Sequence, residues 1–137
     1  MSAPLSASTP AHRSFLAFDF GTQRVGVATG NTLTRSARPL RTIAATGSAR
    51  FDAIAGLIAE WQPDALVVGI PFHPDGAAHD NTERARRFAR QLHGRFGLAV
   101  HEVDERYTTT EARAAGAVDV DAASAAIILE QFLGTLR

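Results

Sequence analysis

An α/β fold, with helices packed on one mixed sheet, follows from three features of the chain. Three extended segments separated by tight turns lie near the N-terminus, one continuous apolar run sits mid-chain, and amphipathic segments alternate with the later strands. Phe15 to Phe18 is an apolar strand that runs into the turn Asp19-Phe20-Gly21-Thr22. Arg24 to Thr29 interleaves Val with Gly and Ala, as a second strand placed for a hairpin with the first, and a third extended piece covers about Arg38 to Ala45. Joined by short turns, these three make an antiparallel meander.

The pattern then changes period. Phe51, Ile54, Leu57, Ile58 and Trp61 recur at helical spacing after Ser48, a good N-cap residue, and Pro63 closes the segment. Ala65 to Ile70 is uninterrupted apolar sequence, as in a parallel strand covered on both faces, and Pro71 marks its end. After a polar loop from Phe72 to Asn81, a second helix carries Ala85, Phe88, Ala89, Leu92 and Phe96 on one stripe, with Asp80 and Glu83 at capping-box spacing. Leu98 to Val103 forms a further strand running into Asp104-Glu105-Arg106; Thr108 and Glu111 mark another helix start, and Asp121 to Leu133 reads as a buried closing helix. Trp61 and Phe88 belong to core stripes. The order β-β-β-α-β-α-β-α is that of a five-stranded mixed sheet.

The chain has 137 residues, with 14 Arg, 14 Asp plus Glu, no Lys and no Cys. That length supports one core, burying roughly 68–70% of the surface of the unfolded chain. The expected organisation is a disordered Ala, Ser and Pro-rich leader over residues 1–13 and a single domain over 14–137. Absence of Cys excludes disulfides, thiolate zinc sites and cysteine nucleophiles, and absence of Lys excludes Schiff-base chemistry and a Walker-type phosphate loop. The leader lacks the features of a signal peptide, no segment is apolar over the length of a membrane span, and the default expectation is a cytoplasmic protein. The arginines gather in two stretches: Arg35, Arg38, Arg41 and Arg50, then Arg84, Arg86, Arg87, Arg90 and Arg95. Each is either a basic patch or an ordinary solvated face.

Acidic residues recur at strand ends and at a helix start: Asp19, the pair Asp104 and Glu105, and Asp121. In a sheet whose first strand is central these positions can converge at one edge, where hard oxygen ligands select Mg²⁺ or Mn²⁺ for in-line phosphodiester hydrolysis. Each acid also has an ordinary reading. Asp19 suits a turn, the Asp-Glu-Arg segment a local ion pair, and Asp121 a helix cap. His73, His79, His93 and His101 show no ligand spacing.

The stretch Phe18-Asp19-Phe20-Gly21-Thr22-Gln23-Arg24-Val25-Gly26-Val27-Ala28 resembles the first-strand signature of the YqgF family, also called RuvX. Three further matches follow in order: Val68-Gly69-Ile70-Pro71 with Asp75-Gly76, Asp104-Glu105-Arg106-Tyr107-Thr108-Thr109 with Glu111-Ala112, and Val120-Asp121 through Leu129. The resemblance implies an RNase H-like fold and a divalent-metal nuclease acting on structured nucleic acid, linked to 5′-end maturation of 16S ribosomal RNA. Four-way DNA junctions are the alternative substrate that the fold suggests. The carried-over metal ligands are Asp19, an acid of the Asp104-Glu105 pair and Asp121, with Glu105 favoured over Asp104 and Asp19, Glu105 and Asp121 as the catalytic set. Arg24, Arg84, Arg87, Arg106, Thr108 and Thr109 are the expected nucleic-acid contacts, with Arg106 also suited to holding the acidic pair. The sequence departs from the family in the segment from Ala112 to Val120, which is short and places Asp119 where a Lys usually stands. Asp119 there is a competing ligand candidate.

Two readings from other classes remain. Sugar-kinase and actin-like nucleotide binders share the Asp-x-Gly-Thr turn, but bind ATP between two domains where this chain has one. A non-catalytic RNA-binding assembly factor would bind normally without metal-dependent cleavage. Monomer and homodimer are both compatible with the sequence.

Overall fold

A computed structural model describes residues 12–106 and 114–136. Its elements run β1 (Ser14–Phe20), β2 (Val25–Asn31), β3 (Ala37–Ile43), α1 (Gly47–Trp61), β4 (Ala65–Phe72), α2 (Thr82–Phe96), β5 (Ala99–Arg106) and α3 (Val120–Thr135). The five strands form one sheet in the order β3-β2-β1-β4-β5. β1 pairs antiparallel with β2 and parallel with β4, β2 pairs antiparallel with β3, and β4 pairs parallel with β5. The first strand is therefore central. The expected meander and mixed sheet are both present. Expected leader residues 1–11 and the expected Thr108/Glu111 helix start lie outside the described residues.

Strand parity divides the apolar residues between two layers. Leu16, Phe18, Val27, Leu66 and Val68 project to one face and meet Phe51, Ile54 and Leu57 of α1 and Ala85, Phe88 and Leu92 of α2. Phe15, Ala17, Ala65 and Val67 project to the other, against Ile128, Leu129, Phe132 and Leu133 of α3. Small residues bring α3 close: Ala28 packs on Ala125 and Ala126. α3 contacts all five strands and so crosses the whole sheet.

Several ends differ from expectation for local reasons. β4 continues through Pro71 to Phe72, because one missing N–H donor is tolerated near a strand end and the Pro71 carbonyl still accepts a 2.5 Å bond from the Thr82 hydroxyl. α1 begins at Gly47 with Thr46 at its N-cap, so Ser48 lies inside the first turn. No Asp80–Glu83 capping box forms: Asn81 is the N-cap of α2, and Glu83 pairs with Arg90 at 2.9 Å. At the far end of α1, Gln62 takes a left-handed conformation and its N–H closes on the Ile58 carbonyl, which ends the helix just before Pro63.

In the first arginine stretch Arg35, Arg38 and Arg41 are exposed, and Arg50 is the exception. Arg35 donates to the carbonyls of Leu133 and Leu136 at the end of α3, Arg38 stacks over Trp61, and Arg50 is buried, reaching the carbonyls of Ala45 and Thr22. These long side chains fold back onto backbone oxygens and a ring. In the second stretch, Arg86 stacks over Phe72 and Arg95 over Phe51, while Arg84 and Arg87 point to solvent.

Phe88 is the hub of the α1/α2 layer, with the rings of Phe18, Phe20 and Phe51 at centroid distances of 5.9, 5.2 and 6.0 Å. Phe88→Ala should cost about 3–5 kcal/mol of stability. Urea unfolding at neutral pH measures it directly.

Candidate active site

Asp19 stands near the end of the central strand, on the face covered by α3. Its cross-strand partners are glycines on both sides: Gly26 on β2 and Gly69 on β4. The row continues outward to Thr42 on β3 and Val103 on β5. Neighbours in register share a face, so one row across the sheet reads Thr42, Gly26, Asp19, Gly69, Val103.

Each glycine makes room for an acidic segment. A Cβ on Gly26 would fall 1.9 Å from the Asp121 carbonyl oxygen, so only a bare backbone lets the start of α3 land beside Asp19. A Cβ on Gly69 would meet Ile128 at 2.4 Å and the Glu105 Cγ at 3.4 Å. Glu105 lies two residues beyond Val103 and shares its face, and it leans over the Gly69 gap. It is buried, and the Gln131 amide nitrogen, turned toward it, donates to both carboxylate oxygens, 3.1 Å to Oε1. Asp104 has the opposite parity. It pairs with Ile70, whose side chain lies in the α1/α2 core, so the structure separates Asp104 from Asp19 and places Glu105 with it.

Asp119 and Asp121 divide two roles that the sequence leaves open. Asp119 is the N-cap of α3, accepting from the Ala122 N–H at 3.0 Å and from the Thr42 hydroxyl at 2.6 Å. The Thr42 hydrogen bond, above all, holds its carboxyl below the usual range, and the Ala122 N–H adds to that against the opposing cost of burial. With Asp119 as the cap, the Asp121 carboxylate is turned to Arg24, whose Nε lies 2.9 Å from Oδ2. Asp19, Thr22, Arg24, Asn81 and Asp121 line one cavity of about 340 Å³. Among the described residues, no three His, Asp or Glu side chains come together closely enough to hold a metal ion. The donors nonetheless suit one in kind. They are hard carboxylate oxygens, two of which, on Asp19 and Asp121, line the same cavity.

The predicted nucleic-acid contacts fall in different places. Arg24 is on the cavity wall but paired with Asp121, Arg84 reaches Asn81 at 3.2 Å on the cavity rim, and Arg87 is exposed further along α2. Thr108, Thr109 and the Arg106 side chain lie outside the described residues. Thr42, Asn81 and Gln131 were not singled out by sequence reasoning, and Arg50 only as one of a run of arginines. Only register and tertiary packing connect them to the acids. Arg50 matters most, because its buried guanidinium holds the Thr22 carbonyl at 3.2 Å and so fixes the turn between β1 and β2.

A family model for RuvX, described as Holliday junction resolvase, matches residues 13–135. The chain belongs to the RuvX family. A RuvX relative from Polaromonas sp. (strain JS666), named "Putative pre-16S rRNA nuclease", is 73% identical over 124 residues, covering 90% of each chain. One from Paraburkholderia phytofirmans (strain PsJN) bears the same name and is 54% identical, covering 94% of each chain. Among solved structures, this RuvX chain is similar in fold to Thermus thermophilus RuvC in complex with a Holliday junction substrate. The TM-score is 0.53 at 16% identity, covering 89% of this chain and 94% of that one. The mixed sheet is thus that of the RuvC-like RNase H fold.

Gly26→Ala should destabilise the RuvX chain by about 1–3 kcal/mol, since the added methyl must push α3 off the sheet. A thermal melt tests it. The depressed carboxyl of Asp119 contributes stability that is complete above the unfolded value of about 3.9 and is lost as pH falls through the lower folded value. Thr42→Val should therefore lower stability at pH 7 and flatten the loss seen on acidification below about pH 4, in a series of melts across pH.

Proposed function

We propose that this RuvX chain is a divalent-metal-dependent nuclease that hydrolyses phosphodiester bonds in the 5′ leader of precursor 16S ribosomal RNA. The observation that carries the reading is the glycine-flanked Asp19, with Asp121 brought beside it over Gly26 and Glu105 beside it over Gly69. The names of its relatives supply the substrate.

Asp19, Glu105 and Asp121 would hold Mg²⁺ or Mn²⁺, which, when bound, supplies activation of water and stabilisation of the leaving oxygen. The protein's part is positional. β1 and β5 present Asp19 and Glu105 from a rigid sheet, and the Asp119 cap fixes the first turn of α3 so that Asp121 keeps its place. Gln131 donates to Glu105 and fixes that carboxylate where water is largely excluded. Arg84 at the rim and Arg87 along α2 offer guanidinium groups to the phosphates of an incoming strand, the contacts that dominate nucleic-acid affinity.

Cleavage of a precursor 16S 5′-leader RNA and of a four-way DNA junction, each with Mn²⁺ or with EDTA, tests the proposal. Manganese-dependent cutting of the RNA is expected, and Asp19→Asn, Glu105→Gln and Asp121→Asn should each lower it by about a thousandfold or more without shifting the melting temperature much. Cutting of the junction alone would reassign the substrate to four-way DNA. Tight RNA binding with no cleavage by the folded protein would make it a binding factor in ribosome assembly.

A further inference from the structure

The cation that the site already contains is Arg24. Of the described residues lining the cavity around Asp19 and Asp121, Arg24 alone carries a positive charge, and it meets Asp121 through Nε only, at 2.9 Å. Its two terminal nitrogens make no hydrogen bond or ion pair with the described residues, and the side chain is 62% exposed against 33% for Asp121. A guanidinium fixed by one edge and open at the other is easily displaced, and its free fork matches a phosphate. Arg24 directly precedes β2, the strand whose Gly26 seats the start of α3, so it stays anchored next to the site when its head moves. Among the described residues, the start of α3 supplies no cation of its own. The residue two positions before Asp121 is Asp119, and that acid is occupied by Thr42 and the helix N-terminus.

We infer that Arg24 is a placeholder cation on Asp121, displaced when a divalent ion takes that carboxylate and then turned to a phosphate of the nucleic acid. The inference rests on the proposed metal-dependent function and adds to it an order of events. Before loading, the guanidinium neutralises Asp121 and competes with the ion; after loading, it is released to pair with a phosphate. Metal and nucleic acid then favour each other's binding, since each removes the competitor of the other.

The test measures Mn²⁺ binding without nucleic acid, by the loss of free-ion electron paramagnetic resonance signal on titration into intact protein. Arg24→Gln should bind Mn²⁺ about tenfold more tightly than wild type, the size expected for removing one nearby charge from a partly exposed site. Asp121→Asn should weaken Mn²⁺ binding, and adding Arg24→Gln to it should give no further tightening. In the presence of the leader RNA, binding of that RNA by Arg24→Gln should fall and the gain in RNA affinity caused by Mn²⁺ should shrink. Because Arg24 is mostly exposed, these variants should melt close to wild type, and Arg24→Lys provides a charge-retaining control that should keep Mn²⁺ affinity near the wild-type value. Equal or weaker Mn²⁺ binding by Arg24→Gln, with wild type binding the ion, would overturn the placeholder role and leave the metal site standing. No Mn²⁺ binding by wild type or any variant would overturn the metal-dependent function and the placeholder role with it.

Discussion

Everything near the site depends on one steric constraint: α3 must approach the sheet to backbone contact over Gly26. Helices normally ride on sheets at side-chain distance, and here the Asp121 carbonyl occupies the space where a Cβ of β2 would be. Ala28, Ala125 and Ala126 keep the same closeness further along, so the approach is a property of the whole helix and not of one point. The hydroxyl of Thr42 then locks the helix start from β3. Asp19 and Asp121 become neighbours because these small residues let them, with no direct attraction between the two acids required.

The site also shows how burial and charge are separated. Glu105 is almost fully buried yet hydrogen-bonded, which is the condition for keeping a polar group inside a fold. Asp121 is a third exposed and meets a cation. Asp119 is spent on structure. Glu105, Asp121 and Asp119 thereby have three environments: an amide, an ion pair and a helix cap.

Much of this was legible in the chain before any coordinates. The meander, the apolar strand Ala65 to Ile70 and the closing helix follow from period and run length, and Asp19 follows from its place at a strand end. What sequence could not supply was register. Period-two alternation assigns Asp104 and Glu105 to opposite faces but not which of them shares a face with Asp19, since β5 is read equally well either way; pairing with β4 puts Glu105 there. The same gap hid Gly26 and Gly69, which look like ordinary strand glycines until they are seen on either side of Asp19. Capping was misassigned where several competent residues crowd together: Asp80 and Glu83 have the right spacing, yet the buried hydroxyl of Thr82 ties the chain to Pro71 and His79. In the arginine stretch from Arg35 to Arg50 the sequence did not single out Arg50, which is buried while Arg35, Arg38 and Arg41 are exposed. Linear charge density says nothing of where a flexible four-bond side chain ends.

The acids of the site come from the first strand and from the last helix, and the seat for that helix is laid down long before the helix itself. Asp19 and Asp121 therefore come together only when α3 has packed on the sheet. One acid is fixed by the sheet and the other is brought by the helix, so their proximity reports on the packing of the two layers against each other.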